Sequence, residues 1–415
     1  MKILILNTND ISGGAARATY RLHKALINEG IDSKMLVQYK ESNDFTVIGP
    51  SNKFEKFINL LRPTLDQLPL RFYRNRKQLL FSPSYIPSKR IIKKVKEINP
   101  DIVHLHWVTG GFLKIEDFLK IKKPILWTLH DNWAFTGGCH IMWDCMKYKD
   151  VCGSCHILNS RMSYDLSTWV WKRKQKTFSI MENLYIVCPS RWMLNCSKGS
   201  YLLRDKPHFY IPNPIDTSIF KPFDKFKSRE ILNLPFDKKI ILCGALYADE
   251  NKGFYLLNEA INNLKLNNIE ICLFGIINDK NHYIFKYPTR YLGTFKDDFS
   301  LVLLYNAADL VVVPSKQENL SNTIMESLSC GTPVVAFDIG GNSDMIEHKL
   351  NGYLAKPFNT IDLAQGIEWI LSLDESKYRD MQKNARQKVL REFDAKVVAK
   401  KYVKLYEEIL NSKKG

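Results

Sequence analysis

No stretch of this sequence approaches the roughly 20 consecutive apolar residues that cross a bilayer, and it contains no internal repeat, low-complexity tract or heptad run. Those absences exclude a helical membrane span, a solenoid and a long coiled coil. The opening MKILILNTND turns polar after about five apolar residues. It reads as a first strand, not as a signal peptide, and the expected location is the cytoplasm. There the nine cysteines are expected as thiols or metal ligands. The first strand-to-helix turn also lacks G-x-G-x-x-G, so a dinucleotide is not implied. What is present is 415 residues, 45% hydrophobic and 25% charged, the composition of a soluble globular chain long enough for two domains. The net charge of +17 bears on partners and not on fold: nucleic acid, an anionic membrane face and phosphorylated substrates all fit it.

The stretch Asp309–Gly341 carries the most chemistry. Leu310–Val313 is a short β-branched run ended by Pro314, a buried strand. A helix is expected from Ser321 to Ser329, with Ile324 and Leu328 one turn apart; Gly331 caps it and Pro333 stops it. Val334–Phe337 is the next strand, and Gly340-Gly341 opens a loop. Glu318 precedes the helix and Glu326 lies within it, about 200° round from Ile324 and off the apolar stripe. Ligands of open α/β sheets collect at the carboxyl ends of strands, where Glu318 falls. The helix start, Asn319 to Asn322, offers backbone N–H groups and a positive dipole end to a diphosphate. On the bland reading, Glu326 is a solvated helix residue and Glu318 a capping-region acid.

Taken in order, Lys2–Leu6 is a strand, about Ala15–Glu29 a helix and Asp32–Val37 a strand, with Ser12-Gly13-Gly14 at the turn where a ligand can approach the backbone. Asp101–Trp107 is a strand whose His104 and His106 read as structural. Pro124–Leu129 leads into His130-Asp131, where His130 reads either as functional or as a core histidine. Pro212, Pro214 and Pro222 stiffen a connection, which places a domain boundary there. The second half opens with the strand Lys239–Ala245 and a loop ending Asn251-Lys252-Gly253, suited to a phosphate at a helix start. Ile269–Phe274 with Gly275, and Tyr291-Leu292-Gly293, are further strand ends. Asn351-Gly352 reads as a turn and Tyr378–Leu410 as continuously helical.

Two segments stand apart. Residues 53–97 hold twelve basic residues against Glu55, Asp66 and Glu97, interleaved with aromatics and leucines. That mixture suits an anionic lipid surface, or a solvated basic face over an ordinary apolar seam. Nucleic-acid binding is not expected, because no recognised module accompanies the charge. Cys139, Cys145, Cys152 and Cys155 fall close together and end in C-x-x-C. They suit a structural zinc holding a long loop, with free thiols or a disulfide pair as the other readings.

Glu318-x7-Glu326 followed by Ser329-Cys330-Gly331-Thr332-Pro333-Val334-Val335 resembles the donor-site signature of GT4-type retaining glycosyltransferases. So does the T-x-H-D strand end containing His130, and the Cys-rich segment after HDNWAFTG is similar to one in colanic-acid and capsule exopolysaccharide glycosyltransferases. The resemblance implies the α/β GT-B fold, with two doubly wound Rossmann-like domains facing a cleft. Residues 1–207 would be the acceptor side, 208–390 the nucleotide-sugar side, and 391–415 a helix crossing back. It implies retaining transfer from a UDP- or GDP-sugar to a glycan or lipid-linked saccharide, in bacterial surface polysaccharide synthesis. His130 and Glu318 would be catalytic. Lys252, Gly275, Leu292, Asn319, Leu320, Ser321, Asn322 and Glu326 would hold the donor, and Gly13, Gly14, Arg17 and Asp131 would line the acceptor side. No cofactor is required for that chemistry. Asn251 departs from the family pattern, which often has a basic residue there. Other classes carried alongside are a GT-B epimerase or phosphorylase, a non-catalytic sugar-nucleotide binder, and a basic nucleic-acid binder.

Overall fold

The structure is a computed structural model and describes residues 1–246, 249–276, 285–295 and 297–412. The chain divides into two compact units, one of Met1–Pro214 with Val398–Gly415 and one of Ile215–Val397.

Unit 1 is built on β1 (Lys2–Asn9), β2 (Asp32–Tyr39), β3 (Val47–Ile48), β4 (Ile102–Leu105), β5 (Ile125–Thr128), β6 (Leu184–Cys188) and β7 (His208–Tyr210), flanked by α1 (Gly14–Asn28), α2 (Lys53–Asp66), α3 (Lys89–Ile98), α4 (Leu166–Phe178) and α5 (Arg191–Lys198). The strands are parallel in the order β3-β2-β1-β4-β5-β6-β7. Parallel strands are covered on both faces, which is why β1 reads as a continuous apolar run; Ile3 to Leu6 are fully buried.

Unit 2 repeats the plan with β8 (Lys239–Leu246), β9 (Ile269–Ile276), β10 (Thr289–Tyr291), β11 (Leu310–Val313), β12 (Val334–Phe337) and β13 (Gly352–Ala355). Its helices are α6 (Lys225–Ile231), α7 (Phe254–Asn262), α8 (Asp298–Ala307), α9 (Asn322–Ser329), α10 (Asn342–Met345), α11 (Thr360–Leu371) and α12 (Glu375–Glu392). The order is β10-β9-β8-β11-β12-β13, again parallel. A last helix, α13 (Ala395–Asn411), returns the chain to unit 1.

Two elements differ from the sequence expectation. Gly352 is not a turn residue but the first residue of β13, paired with Val334. The expected helix Tyr378–Leu410 is two helices. At the break, Phe393 O accepts from Ile215 N at 2.9 Å, and Asp394 Oδ1 caps the next helix by accepting from Lys396 N at 2.9 Å. Thr217 Oγ1 holds the other Asp394 oxygen at 2.5 Å. An aspartate able to cap a new helix outcompetes continuation of the old one.

Candidate active site

Each sheet has a point where consecutive strands turn from one side to the other, between β1 and β4 in unit 1 and between β8 and β11 in unit 2. The loops leaving those strands diverge and open a crevice at the carboxyl edge, the standard ligand position of such sheets. Gly13, Lys252, Glu318, Asn319, Leu320 and Ser321 fall on these loops, and Gly14 and Asn322 open the helices that follow.

In unit 1, Gly13 is the N-cap residue of α1 with φ +95°, Gly14 begins the helix, and Arg17 N–H donates to Gly13 O at 3.0 Å. The β4 end is stitched to β1: Thr8 Oγ1 donates to Trp107 O at 3.0 Å and Trp107 N–H to Asn7 Oδ1 at 2.8 Å. His130, at the end of β5, places Nε2 2.9 Å from His106 Nδ1 and 3.5 Å from Thr19 Oγ1. Behind it, His104 Nδ1 lies 2.7 Å from the Tyr406 hydroxyl and its Nε2 2.8 Å from Thr128 Oγ1, which in turn meets Tyr402. Of the two histidines read as structural in sequence, His106 holds His130 directly and His104 backs His106, ring centroids 4.2 Å apart, with α13 completing the support. Burial pushes His104 down to about 3 and His106 well below the usual range. It lowers His130 to about 4, only partly offset by Asp131. All three imidazoles are neutral at pH 7.

Asp131 is a hub. It accepts from Trp107 Nε1 at 2.8 Å and Trp133 N at 2.9 Å, and pairs with His140 Nδ1 at 2.6 Å. Burial opposes its ionisation, but His140 and these donors outweigh that and keep its carboxyl below the usual range. With these partners Asp131 positions the loop, which gives a structural basis for its place beside His130.

In unit 2, Lys252 follows β8 and Glu318 follows β11; Nζ and Oε1 are 2.6 Å apart. Burial alone would lower the Lys252 ammonium, but the Glu318 carboxylate outweighs it and raises its pKa. Asn251 is buried, donates from Nδ2 to Gln317 O at 2.8 Å and accepts from Lys316 N at 2.7 Å. It zips the two loops together, the side chain bonding the loop after β11 and the backbone carbonyl accepting from it. The loop after β12 closes on the same place: Gly341 N–H donates to Glu318 O at 3.1 Å. Gly340 has φ +55°, and a Cβ there would lie 1.8 Å from Glu318 O. Gly340→Ala is expected to cost unit 2 about 1–3 kcal/mol, read as a shifted urea midpoint; an unmoved midpoint contradicts this packing.

Ser321 stands at the N-cap of α9 without a side-chain cap hydrogen bond, and Asn319 and Asn322 are partly exposed beside it. Leu320 differs from expectation: its side chain is packed into the unit 2 core, so only its backbone can face a ligand. Glu326 is not solvated; it is 3% exposed and its Oε2 accepts from Tyr305 OH at 2.9 Å. Gly275 and Leu292 sit on the β9–β10 edge, where Gly275 N–H donates to Gly293 O at 2.9 Å and Leu292 N–H to Leu273 O at 2.8 Å. Tyr305 escaped the sequence reading because nothing local marks a tyrosine as a carboxylate partner.

Cys139, Cys145, Cys152 and Cys155 are free thiols. Among the described residues no group of three or more His, Cys, Asp or Glu side chains is arranged to hold a metal ion, while all four thiols lie near one another: after burial, the other three disfavour ionisation of Cys139, and Cys145 does so for Cys152 and Cys155. Cys139 and Cys152 are buried, and burial pushes the Cys152 thiol up to about 12. The loop is also tied by the fully buried Lys174, whose ammonium donates to Trp133 O and to Thr136 O and lies 3.6 Å from the Trp133 ring.

Residues 12–219 match the Glycosyltransferase Family 4 family and residues 224–388 the family of glycosyl transferases group 1. The N,N'-diacetylbacillosaminyl-diphospho-undecaprenol alpha-1,3-N-acetylgalactosaminyltransferase of Campylobacter jejuni is 29% identical over 43% of this chain, and the match spans about half of that relative, 48%. A putative colanic acid biosynthesis glycosyl transferase of Escherichia coli is 24% identical over 81% of this chain and 83% of its own. The Anabaena HepE structure in complex with UDP superposes with a TM-score of 0.65 at 18% identity, over 98% of this chain and 100% of that one. Two Rossmann-like units of GT-B architecture, matched in turn by these two families, make this chain a transferase belonging to glycosyltransferase family 4.

Proposed function

We infer that the protein moves a sugar with retention from a UDP- or GDP-sugar to a hydroxyl of a glycan or lipid-linked saccharide, in the assembly of a bacterial surface polysaccharide. The observation that carries this reading is the Lys252–Glu318 pair at the unit 2 switch point, directly before α9 and its buried Glu326. In the step proposed, the bond from the anomeric carbon to the β-phosphate oxygen breaks, and its electron pair stays on the nucleoside diphosphate. The acceptor oxygen bonds the same carbon, and its proton passes to the departing diphosphate. Charge therefore builds on the diphosphate, where Lys252 and the α9 start, with backbone at Asn319 to Asn322, supply positive potential. Glu318 contacts the donor sugar, Glu326 the ribose hydroxyls, and Gly275 and Leu292 the base through backbone groups. On unit 1, Gly13, Gly14 and Arg17 line the acceptor side. His130, neutral and held by His106, donates a hydrogen bond to the reacting sugar. The Campylobacter relative, named for a diphospho-undecaprenol acceptor, and the Escherichia coli relative, named for colanic acid, support the pathway class. HepE, crystallised with UDP, supports the donor class.

Calorimetry tests the ribose role. Glu326→Gln keeps the volume and the Tyr305 contact, so the fold is retained. The Kd for UDP or GDP is expected to rise about 10- to 100-fold, from loss of charge-assisted hydrogen bonds. A 2′,3′-dideoxy nucleotide should show no such change. Equal behaviour of the two nucleotides would remove the assignment.

A further inference from the structure

The basic segment contains two helices of opposite construction. In α3 the apolar residues Ile91, Ile92 and Val95 are buried and the lysines face out, as an ordinary surface helix does. In α2 the arrangement is inverted. Its protein-facing side is polar: Asn59 Nδ2 donates to Gln38 O at 3.0 Å, Arg62 Nε to Gly111 O at 2.6 Å, and Asp66 accepts from Tyr85 N at 3.1 Å. Its solvent side is apolar. Phe54, Phe57, Ile58, Leu61 and Leu65 share an arc of about 100°, and all are exposed, Phe54 at 71% and Phe57 at 58%. Leu60, 64% exposed, extends the stripe toward Lys53 and Lys56. The chain then continues through exposed Arg71 and Arg74, with Phe72 at 89% exposure between them.

Large apolar side chains grouped on one face are rare on a free surface and mark a contact. The grouping here is not a defect of packing, because the opposite face is fully engaged in hydrogen bonds that fix the helix orientation. The chemistry of the face decides the partner. Phenylalanines and leucines rimmed by lysine and arginine match the interface of an anionic bilayer, with acyl chains for the stripe and headgroup phosphates for the rim. A nucleic acid would leave the aliphatic residues without a stacking partner.

We propose that α2, with the Arg71–Arg74 stretch after it, is an interfacial membrane anchor that lies in the plane of an anionic phospholipid surface. Phe54, Phe57, Leu61 and Leu65 enter the acyl boundary, while Lys53, Lys56, Arg71 and Arg74 meet the headgroups. This surface is separate from the residues assigned to sugar transfer and independent of which sugar is moved.

Co-sedimentation of the full chain with sucrose-loaded vesicles tests it. Vesicles of phosphatidylcholine with 30% phosphatidylglycerol are expected to carry down at least tenfold more protein than phosphatidylcholine alone, an excess that shrinks as salt rises. Phe57→Asp with Leu61→Asp is expected to lower the partition coefficient at least tenfold, and Lys53→Glu with Lys56→Glu to remove the lipid-charge dependence. Thermal midpoint and UDP or GDP binding, measured on the same samples, should stay unchanged, which keeps this test apart from that of the donor site. Absence of sedimentation with the anionic vesicles at low salt overturns the proposal. So does partition that ignores both pairs of substitutions. A dimer of the unaltered chain that Phe57→Asp with Leu61→Asp converts to monomer, with no vesicle binding, overturns it in favour of self-association.

Discussion

Lys252→Ala is expected to lower the transfer rate about 100-fold, the usual consequence of removing one preorganised group that stabilises leaving-group charge. The argument rests on what the lysine leaves behind. Its Nζ is 2.6 Å from Glu318, whose side chain is 13% exposed. Without the ammonium, that carboxylate stands uncompensated beside the proposed diphosphate site, so the substitution removes an attraction and exposes a repulsion. Lys252 itself is 35% exposed, so screening keeps the pair's contribution to folding small and the variant should remain folded. The signature is therefore selective. Affinity for UDP or GDP falls, affinity for the matching nucleoside does not, and Lys252→Arg recovers part of the loss. Unchanged diphosphate affinity in Lys252→Ala would refute the clamp.

The second large effect is loss of stability in unit 1 on mild acidification. His104 and His23 are fully buried, and burial lowers them to about 3 and about 4 from an ordinary value of 6.5. The unfolded chain therefore binds more protons than the native one below pH 6.5. Stability is complete above that pH and is lost as pH falls toward 4. Between pH 6.5 and 5 each contributes a loss of about 2 kcal/mol. His130, partly exposed, adds less. The groups facing His104 are Thr128, His106, Tyr402 and Tyr406, and none carries a negative charge there to compensate an imidazolium. His23 faces Ser33 and Thr46, with Asp44 as a partial offset. Asp44 and Asp131 are held below the usual carboxylate range, so their own protonation lies under this window and does not blur it. Amide exchange of β4 and β5 at pH 7, 6 and 5 checks the expectation, and His104→Gln should flatten the response. Protection unaffected by pH would mean that the imidazolium forms find charge compensation within the folded state.

Much of this architecture is written locally. Fully buried parallel strands announce themselves as apolar runs, so β1, β8, β11 and β12 are legible from composition alone. The Glu318–Glu326 spacing is legible for the same reason, since one strand–loop–helix unit holds both. What escaped depends on contacts between distant residues. The hydrogen bond from Tyr406 to His104 joins residues 302 positions apart. Periodicity reveals that α2 has an apolar stripe, but not that the stripe faces outward. Leu320 is a core residue because the loop before α9 dips inward, which spacing from Glu318 does not encode. The cysteine spacing suggests convergence, and the four thiols do come together; that Lys174 reaches from α4 to tie the same loop is not encoded in that spacing.

Unit 1 is discontinuous in the chain, since Val398–Gly415 belong to it along with Met1–Pro214. Synthesis delivers β4, β5 and His104 early, but the tyrosines that receive this histidine reach the folding unit only after all of unit 2 has been made. Domains usually fold as they emerge, amino-terminal first. Here unit 1 starts to emerge before unit 2 but is finished after it, and His130 gains its final support only once α13 has been made. A chain that stopped before α13 would hold unit 2 whole and yet lack the tyrosines that settle the histidine stack of unit 1.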